Sequence, residues 1–85
     1  MREFKYVIQD ELGIHARPAG VLVKAANEFD CHIELEKRGK KGDLKRIFSV
    51  MALGIKKDDE ITVRIEGQDE NDAAKKMEEL FKQQL

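Results

Sequence analysis

The chain has no tryptophan, one tyrosine, one proline and one cysteine among 85 residues. A lone Cys31 excludes an intramolecular disulfide and fits a reducing compartment. His15 and His32 are the only histidines. With Cys31 they give no cluster of zinc-binding spacing, so no metal and no cofactor is expected. Long apolar runs are absent as well. The longest weakly interrupted stretch, Ile47 to Ile55, contains Ser49 and is far too short to cross a bilayer. Met1-Arg2-Glu3-Phe4-Lys5 lacks the apolar core of a signal peptide, so the expected location is cytoplasmic. There are no repeats and no Pro- or Ser-rich linker.

Charge is what the chain has in quantity. Charged residues make up 39% of it, against about 25% in an ordinary globular domain. The 16 Lys and Arg nearly cancel the 17 Asp and Glu, leaving a formal net charge of −1. Leu, Ile, Val and Phe supply 23 of the 85 residues, about 27%. That exceeds the ~20% below which highly charged chains usually stay unfolded. Because about 150 residues is a common domain length, residues 1–85 are expected to form one domain.

Phe4, Tyr6 and Ile8 alternate with polar neighbours as in a half-buried strand, with Val7 as the misfit. From Pro18 the period becomes helical, and Ala19, Leu22, Val23, Ala26 and Phe29 place an amphipathic helix over roughly Ala16 to Glu28. Cys31, Ile33 and Leu35 alternate as a second strand. It runs into Lys37-Arg38-Gly39-Lys40-Lys41-Gly42, where the glycines suit a hairpin turn, and a short third strand ends near Asp43. Ile47 to Leu53 reads as a short helix closed by Gly54. In that helix Ile47 and Leu53 are expected inside, Phe48 and Met51 outside. Ile61, Val63 and Ile65 mark a further strand. Ala73, Met77, Leu80 and Phe81 line a terminal helix with Asp72/Lys76, Lys75/Glu79 and Glu78/Lys82 spaced for i,i+4 pairing. The order β-α-β-β-α-β-α predicts a two-layer α/β (α+β) sandwich with helices on one face of an antiparallel or mixed sheet.

One segment stands apart: Gly13-Ile14-His15-Ala16-Arg17-Pro18-Ala19-Gly20. Proline belongs in a helix's first turn, which puts His15 at or beside the N-cap. The free N–H groups of Ala16 and Arg17 would point outward beside its ring, where a helix end binds anions. Arg17 adds a cation suited to phosphate oxygens. The helix dipole works against positive charge on such a ring, which leaves a nitrogen lone pair available as nucleophile. The constellation suits a histidine that accepts a phosphoryl group reversibly. On spacing alone, a polar residue capping a helix is the commoner meaning of the same pattern.

Gly13 to Ala19, together with this order and length, resembles HPr, the histidine-containing phosphocarrier family of the bacterial phosphoenolpyruvate:sugar phosphotransferase system. Leu44 to Ile55 resembles that family's second signature segment, and Gly67 to Ala73 its entry to the last helix. The resemblance implies a four-stranded antiparallel sheet carrying three helices on one face. It implies that enzyme I passes a phosphoryl group from phosphoenolpyruvate to Nδ1 of His15, and that it moves on to the A domain of a sugar-specific enzyme II. Arg17 would assist the phosphoryl group, with the Ala16 and Arg17 backbone holding its oxygens. Gly20, Lys24, Phe48, Ser49 and Met51 would form the partner surface. Such a protein is a monomeric shuttle rather than an enzyme with turnover of its own.

Two residues depart from the family pattern. Many members carry a kinase-targeted serine where this chain has Arg46, so serine-dependent regulation is expected to be absent. The missing serine also removes an N-cap for the short helix unless a group such as Asp43 substitutes. Leu12 stands where sugar-branch members often have a small polar residue, and it resembles the nitrogen-related paralogue. A nitrogen-branch or non-catalytic regulatory relative is therefore the alternative, although His15 and Arg17 are both present. The basic residues Lys37, Arg38, Lys40, Lys41, Lys45 and Arg46 read as a solvated turn. Nucleic-acid binding is not expected, since net charge is slightly negative and the strands lack an aromatic ribonucleoprotein signature. His32 is expected to face solvent, and Cys31 to be a small core residue.

Overall fold

A computed structural model describes residues 1–85. It contains β1 (Arg2–Val7), α1 (Ala16–Ala26), β2 (His32–Lys37), β3 (Lys40–Asp43), α2 (Ile47–Met51), β4 (Glu60–Glu66) and α3 (Glu70–Gln84). The strands form one antiparallel sheet in the order β1-β4-β2-β3. Register sets the two faces. Phe4 lies opposite Val63, Leu35 opposite Val63 and Ile33 opposite Ile65, so these side chains share the face beneath the helices. Ile33, Leu35, Ile61, Val63 and Ile65 are fully buried there with Ile8, Leu22, Leu44, Met77 and Phe81. Phe81 of α3 meets the Phe4 and Tyr6 rings edge-on at 5.7 and 6.0 Å, an arrangement worth about 0.5–1.5 kcal/mol per pair beyond area burial.

The other face is left uncovered and carries charge. Arg64 lies opposite Glu3 on one neighbouring strand and Glu34 on the other. Its guanidinium pairs with Glu3 at 2.9 Å, with Glu34 at 3.4 Å, and with Glu36. The Arg64 guanidinium holds the Glu36 carboxyl below its usual range. The protein is thus an open-faced two-layer sandwich, with three helices on one side of a four-stranded antiparallel sheet.

Several local expectations change. The β2–β3 turn consists of Arg38 and Gly39 alone, both at positive φ (49° and 83°), which gives the tight hairpin loop that matches strand twist. Gly42 lies inside β3, where an added Cβ would stand 3.0 Å from the Ser49 carbonyl oxygen. Helix α1 ends at Ala26 rather than Glu28 because Glu28 and Phe29 turn their N–H groups back three residues, to Ala25 and Ala26. Helix α2 ends at Met51 rather than Leu53 for the same reason, with Leu53 and Gly54 bonding Val50 and Met51. Gly54 adopts φ 60°, as a helix terminator requires. Ile47 is exposed rather than inside, because the five-residue helix buries Val50 and its first turn lies at the rim. Asp43 does not cap α2. Its carboxylate accepts the Lys45 N–H at 2.9 Å, one residue short of the Arg46 N-cap. None of the three i,i+4 pairs of α3 closes into an ion pair, as expected where exposed long side chains lose more entropy than they gain.

Candidate functional site

His15 occupies the N-cap of α1 in extended conformation (φ −101°, ψ −175°) and is half-buried, its side chain making no capping hydrogen bond. Its carbonyl accepts the Ala19 N–H at 3.0 Å, the first bond of the helix. The Ala16 and Arg17 N–H groups have no partner in the chain, and Pro18 has none to offer. Pro18 and Ala19 turn inward, whereas Ala16 and Arg17 are exposed. The Arg17 guanidinium makes no ion pair or hydrogen bond within the chain. An imidazole ring, two unpartnered N–H groups and an unengaged guanidinium therefore lie within three consecutive residues, a combination able to hold the oxygens of an incoming anion.

The turn before His15 fixes where it sits. Asp10 accepts the Gly13 N–H through its carbonyl at 2.9 Å and the Leu12 N–H through its carboxylate at 2.8 Å. Gly13 takes φ 65° and presses against the α2–β4 connection. A Cβ there would stand 2.7 Å from Lys56 Cα and closer still to the Ile55 carbonyl oxygen. The next residue, Ile14, is buried and donates its N–H to that Ile55 carbonyl at 3.1 Å. The same turn leaves Leu12 72% exposed, three residues before His15.

Gly20 and Lys24 follow on the outer stripe of α1 that ends at Asn27. Asn27 ties this stripe to the entry of α2, donating to the Lys45 carbonyl at 3.0 Å as well as to Val23 at 2.8 Å. Gly20 has no neighbour within 4 Å of an added Cβ, so its surface is open. On α2, Phe48 is 87% exposed, with Met51 and Ile47 exposed beside it. Ser49 departs from this group. Its hydroxyl accepts the Asp43 N–H at 2.9 Å, which turns the side chain toward β3 and away from the Phe48 surface. Arg46 projects into solvent, with only a loose approach to Asp43 at 3.8 Å.

Two members of the expected basic turn are engaged internally. Lys37 donates to the Gly54 carbonyl and to Asp59, each at 2.8 Å, and Lys45 donates to the Phe29 carbonyl at 2.6 Å. His32 is exposed on β2, and Cys31 is buried, with burial pushing its thiol up to about 11. None of the three surface depressions is lined by His15 or Arg17. The site lies open at the surface. Sequence reasoning missed Ile47 as part of the apolar surface, missed Gly13 and Ile55 as supports of the turn before His15, and missed that Lys37 points inward. Only Gly13 carried a local signal, a glycine ahead of a helix start.

Residues 2–83 match the family model PTS-HPr, described as the PTS HPr component phosphorylation site. Among solved structures, the chain is similar to the histidine-containing phosphocarrier protein of Mycoplasma, with 39% identity over 93% of this chain and 90% of that one and a TM-score of 0.91. HPr of Thermoanaerobacter tengcongensis matches with 35% identity over 96% and 92% of the two chains and a TM-score of 0.92. Crh, the catabolite repression protein of Bacillus subtilis solved as a swapped dimer, matches with 33% identity over 100% and 98% and a TM-score of 0.78. With its fold, its element order and nearly its whole length in agreement, the chain belongs to the HPr family of the phosphotransferase system.

Proposed function

We propose that residues 1–85 act as one phosphocarrier domain that takes a phosphoryl group from phospho-enzyme I, originally from phosphoenolpyruvate, onto His15 and delivers it to the A domain of an enzyme II during sugar uptake. The observation that carries this reading is His15 at the α1 N-cap beside the unpartnered Ala16 and Arg17 N–H groups. A lone pair of the ring attacks phosphorus in line with the donor. The new P–N bond forms as the bond to the donor breaks, and that bond's electron pair leaves with the donor. The two N–H groups and the Arg17 guanidinium hold the phosphoryl oxygens, whose charge dominates the barrier. Delivery to the acceptor runs the same step in reverse. The surface formed by Gly20, Lys24, Phe48 and Met51, with Ile47 added, receives both partners in turn. Met51 is flexible and Phe48 highly exposed, properties that suit a face shared by several proteins. Ser49 is left out of that face. The carrier works as a cytoplasmic monomer, which light scattering at working concentration checks.

With Arg46 in place of serine, kinase-dependent control is absent, and Ser49 does not replace it because its hydroxyl is engaged by Asp43. Mass spectrometry after incubation with an HPr kinase and ATP tests this, and stoichiometric phosphate on Ser49 would refute it. A second reading keeps the carrier and changes the acceptor. Leu12 presents a large exposed apolar side chain three residues before His15, which favours a nitrogen-branch acceptor with an apolar counterpart. The primary test is incubation with phosphoenolpyruvate, Mg²⁺ and enzyme I, followed by phosphorus NMR, with His15→Ala as control. Acid-labile phosphate on the wild type alone supports the carrier. No phosphate with a competent enzyme I favours a regulatory binding protein.

A further inference from the structure

We infer that Lys37 is a positioning residue for His15, acting through the connection between α2 and β4; the inference rests on the carrier reading above. Lys37 is the last residue of β2, at the end of the sheet where β1 runs out and β4 begins. Its ammonium bridges the Gly54 carbonyl and the Asp59 carboxylate at 2.8 Å each, with both charged side chains about five-sixths buried (16% and 15% exposed). Asp59 also accepts the Lys56 N–H at 2.8 Å through the same oxygen, Oδ2. Segment 54–59 is thereby cross-braced from both of its ends. On its far side, Ile8 receives the Asp58 N–H at 2.8 Å and gives its own N–H to the Asp59 carbonyl at 3.0 Å.

This braced segment is what His15 is built upon. The Gly54 carbonyl taken by Lys37 and the Ile55 carbonyl taken by Ile14 belong to adjacent peptide units. Gly13 packs against Ile55 and Lys56 with no room for a Cβ, and Ile14 is bonded to the Ile55 carbonyl, so a shift of the segment is passed to Gly13 and Ile14 and then to the next residue, His15. The ring itself makes no capping bond that would hold it independently. Phosphoryl transfer depends on alignment, and a misplacement near 1 Å can cost as much as ~10²-fold in rate. A lysine more than twenty residues from His15 in sequence therefore sets the geometry of the phosphoryl acceptor without touching the phosphoryl group.

The test combines amide hydrogen exchange with transfer kinetics from phospho-enzyme I, on wild type, Lys37→Met, Asp59→Asn and the double variant. Asp69→Asn serves as control, since Asp69 braces Asp30 and Cys31 at the other end of β2. The expected result is exchange of the Ile14 amide about tenfold faster relative to core amides such as Val63 in both single variants. The transfer rate should fall about tenfold with KM unchanged, and the double variant should be no worse than either single one. Asp69→Asn should loosen neither Ile14 selectively nor the rate. Ile14 exchange that changes only in step with the core overturns the inference, as does a loosened Ile14 with an unchanged rate. A wild type that never accepts phosphate overturns the carrier reading and the positioning role with it. That failure is recognised in the wild-type arm, separately from the variants.

Discussion

Gly13→Ala and Gly20→Ala add the same methyl group two residues before and five residues after His15, and they should act in opposite directions. Gly13 holds φ 65°, where an L-residue costs about 1–2 kcal/mol. Its Cβ would stand 2.7 Å from Lys56 Cα, a backbone atom that cannot swing aside. Relief requires parting the turn from segment 54–59, which breaks the Ile14–Ile55 hydrogen bond at a further net cost of about 0.5–1.5 kcal/mol. The lower entropy of unfolded alanine returns about 0.4–1 kcal/mol. The net loss is about 2 kcal/mol, or roughly 8–16 °C in Tm for a domain of this size. Gly20 lies within α1 with nothing within 4 Å of an added Cβ, so alanine should stabilise by about 0.5–1 kcal/mol. Paired urea and thermal melts check both values. A neutral Gly13→Ala, or two variants shifting the same way by similar amounts, would refute the reasoning about backbone contact at the turn.

Asp58 sits at φ 73°, so Asp58→Gly should raise stability by about 0.5–1 kcal/mol despite glycine's larger unfolded-state entropy; a lower Tm would show that the αL strain has been overestimated. The Asp69 carboxyl is held below its ordinary range, chiefly by the Asp30 N–H and also by Cys31. A depressed folded pKa gives stability that is present above the unfolded value, about 3.9, and lost as pH falls through the folded value. The gap in urea midpoint between wild type and Asp69→Asn should therefore be wide at neutral pH and narrow as pH falls well below that value. Cys31 is 2% exposed with its thiol pushed up to about 11 by burial, so a thiol reagent should label it at the rate of unfolding and not faster.

The strands and long helices were legible because their information is periodic. Ile61, Val63 and Ile65 alternate, and every one is fully buried; Ala19, Leu22 and Ala26 recur at helical spacing and are likewise at zero exposure. Helix α2 failed that way of reading at two residues. Five residues make barely more than one turn, so spacing cannot say which side faces in. Ile47 went out to the rim and Ser49 turned to β3, both decided by where β3 and α1 lie. The charged residues failed differently. Lys37 and Lys45 sit in a run that reads as a solvated turn, yet their long stems carry the ammonium groups to carbonyl oxygens of Gly54 and Phe29.

The site divides along the same line. His15, Ala16, Arg17 and Pro18 form one contiguous helix start, and the chemistry of such a start follows from proline's fixed φ and the unpaired N–H groups of a first turn, all local facts. What holds that start in place is not local. Gly13 alone announces a special backbone, and the reason for it, the Ile55 carbonyl and Lys56 backbone, lies about forty residues on. The brace on that segment comes from a third region, the end of β2, through Lys37. No short window of sequence contains all three, and residue type gives no hint that a lysine beside a hairpin turn will point inward. In the proposed carrier the reacting group is therefore written in one segment. Under the positioning role inferred for Lys37, its alignment comes from the antiparallel sheet, which brings the ends of β1 and β2 and the start of β4 to one end, and a substitution there should slow transfer while the motif around His15 stays intact.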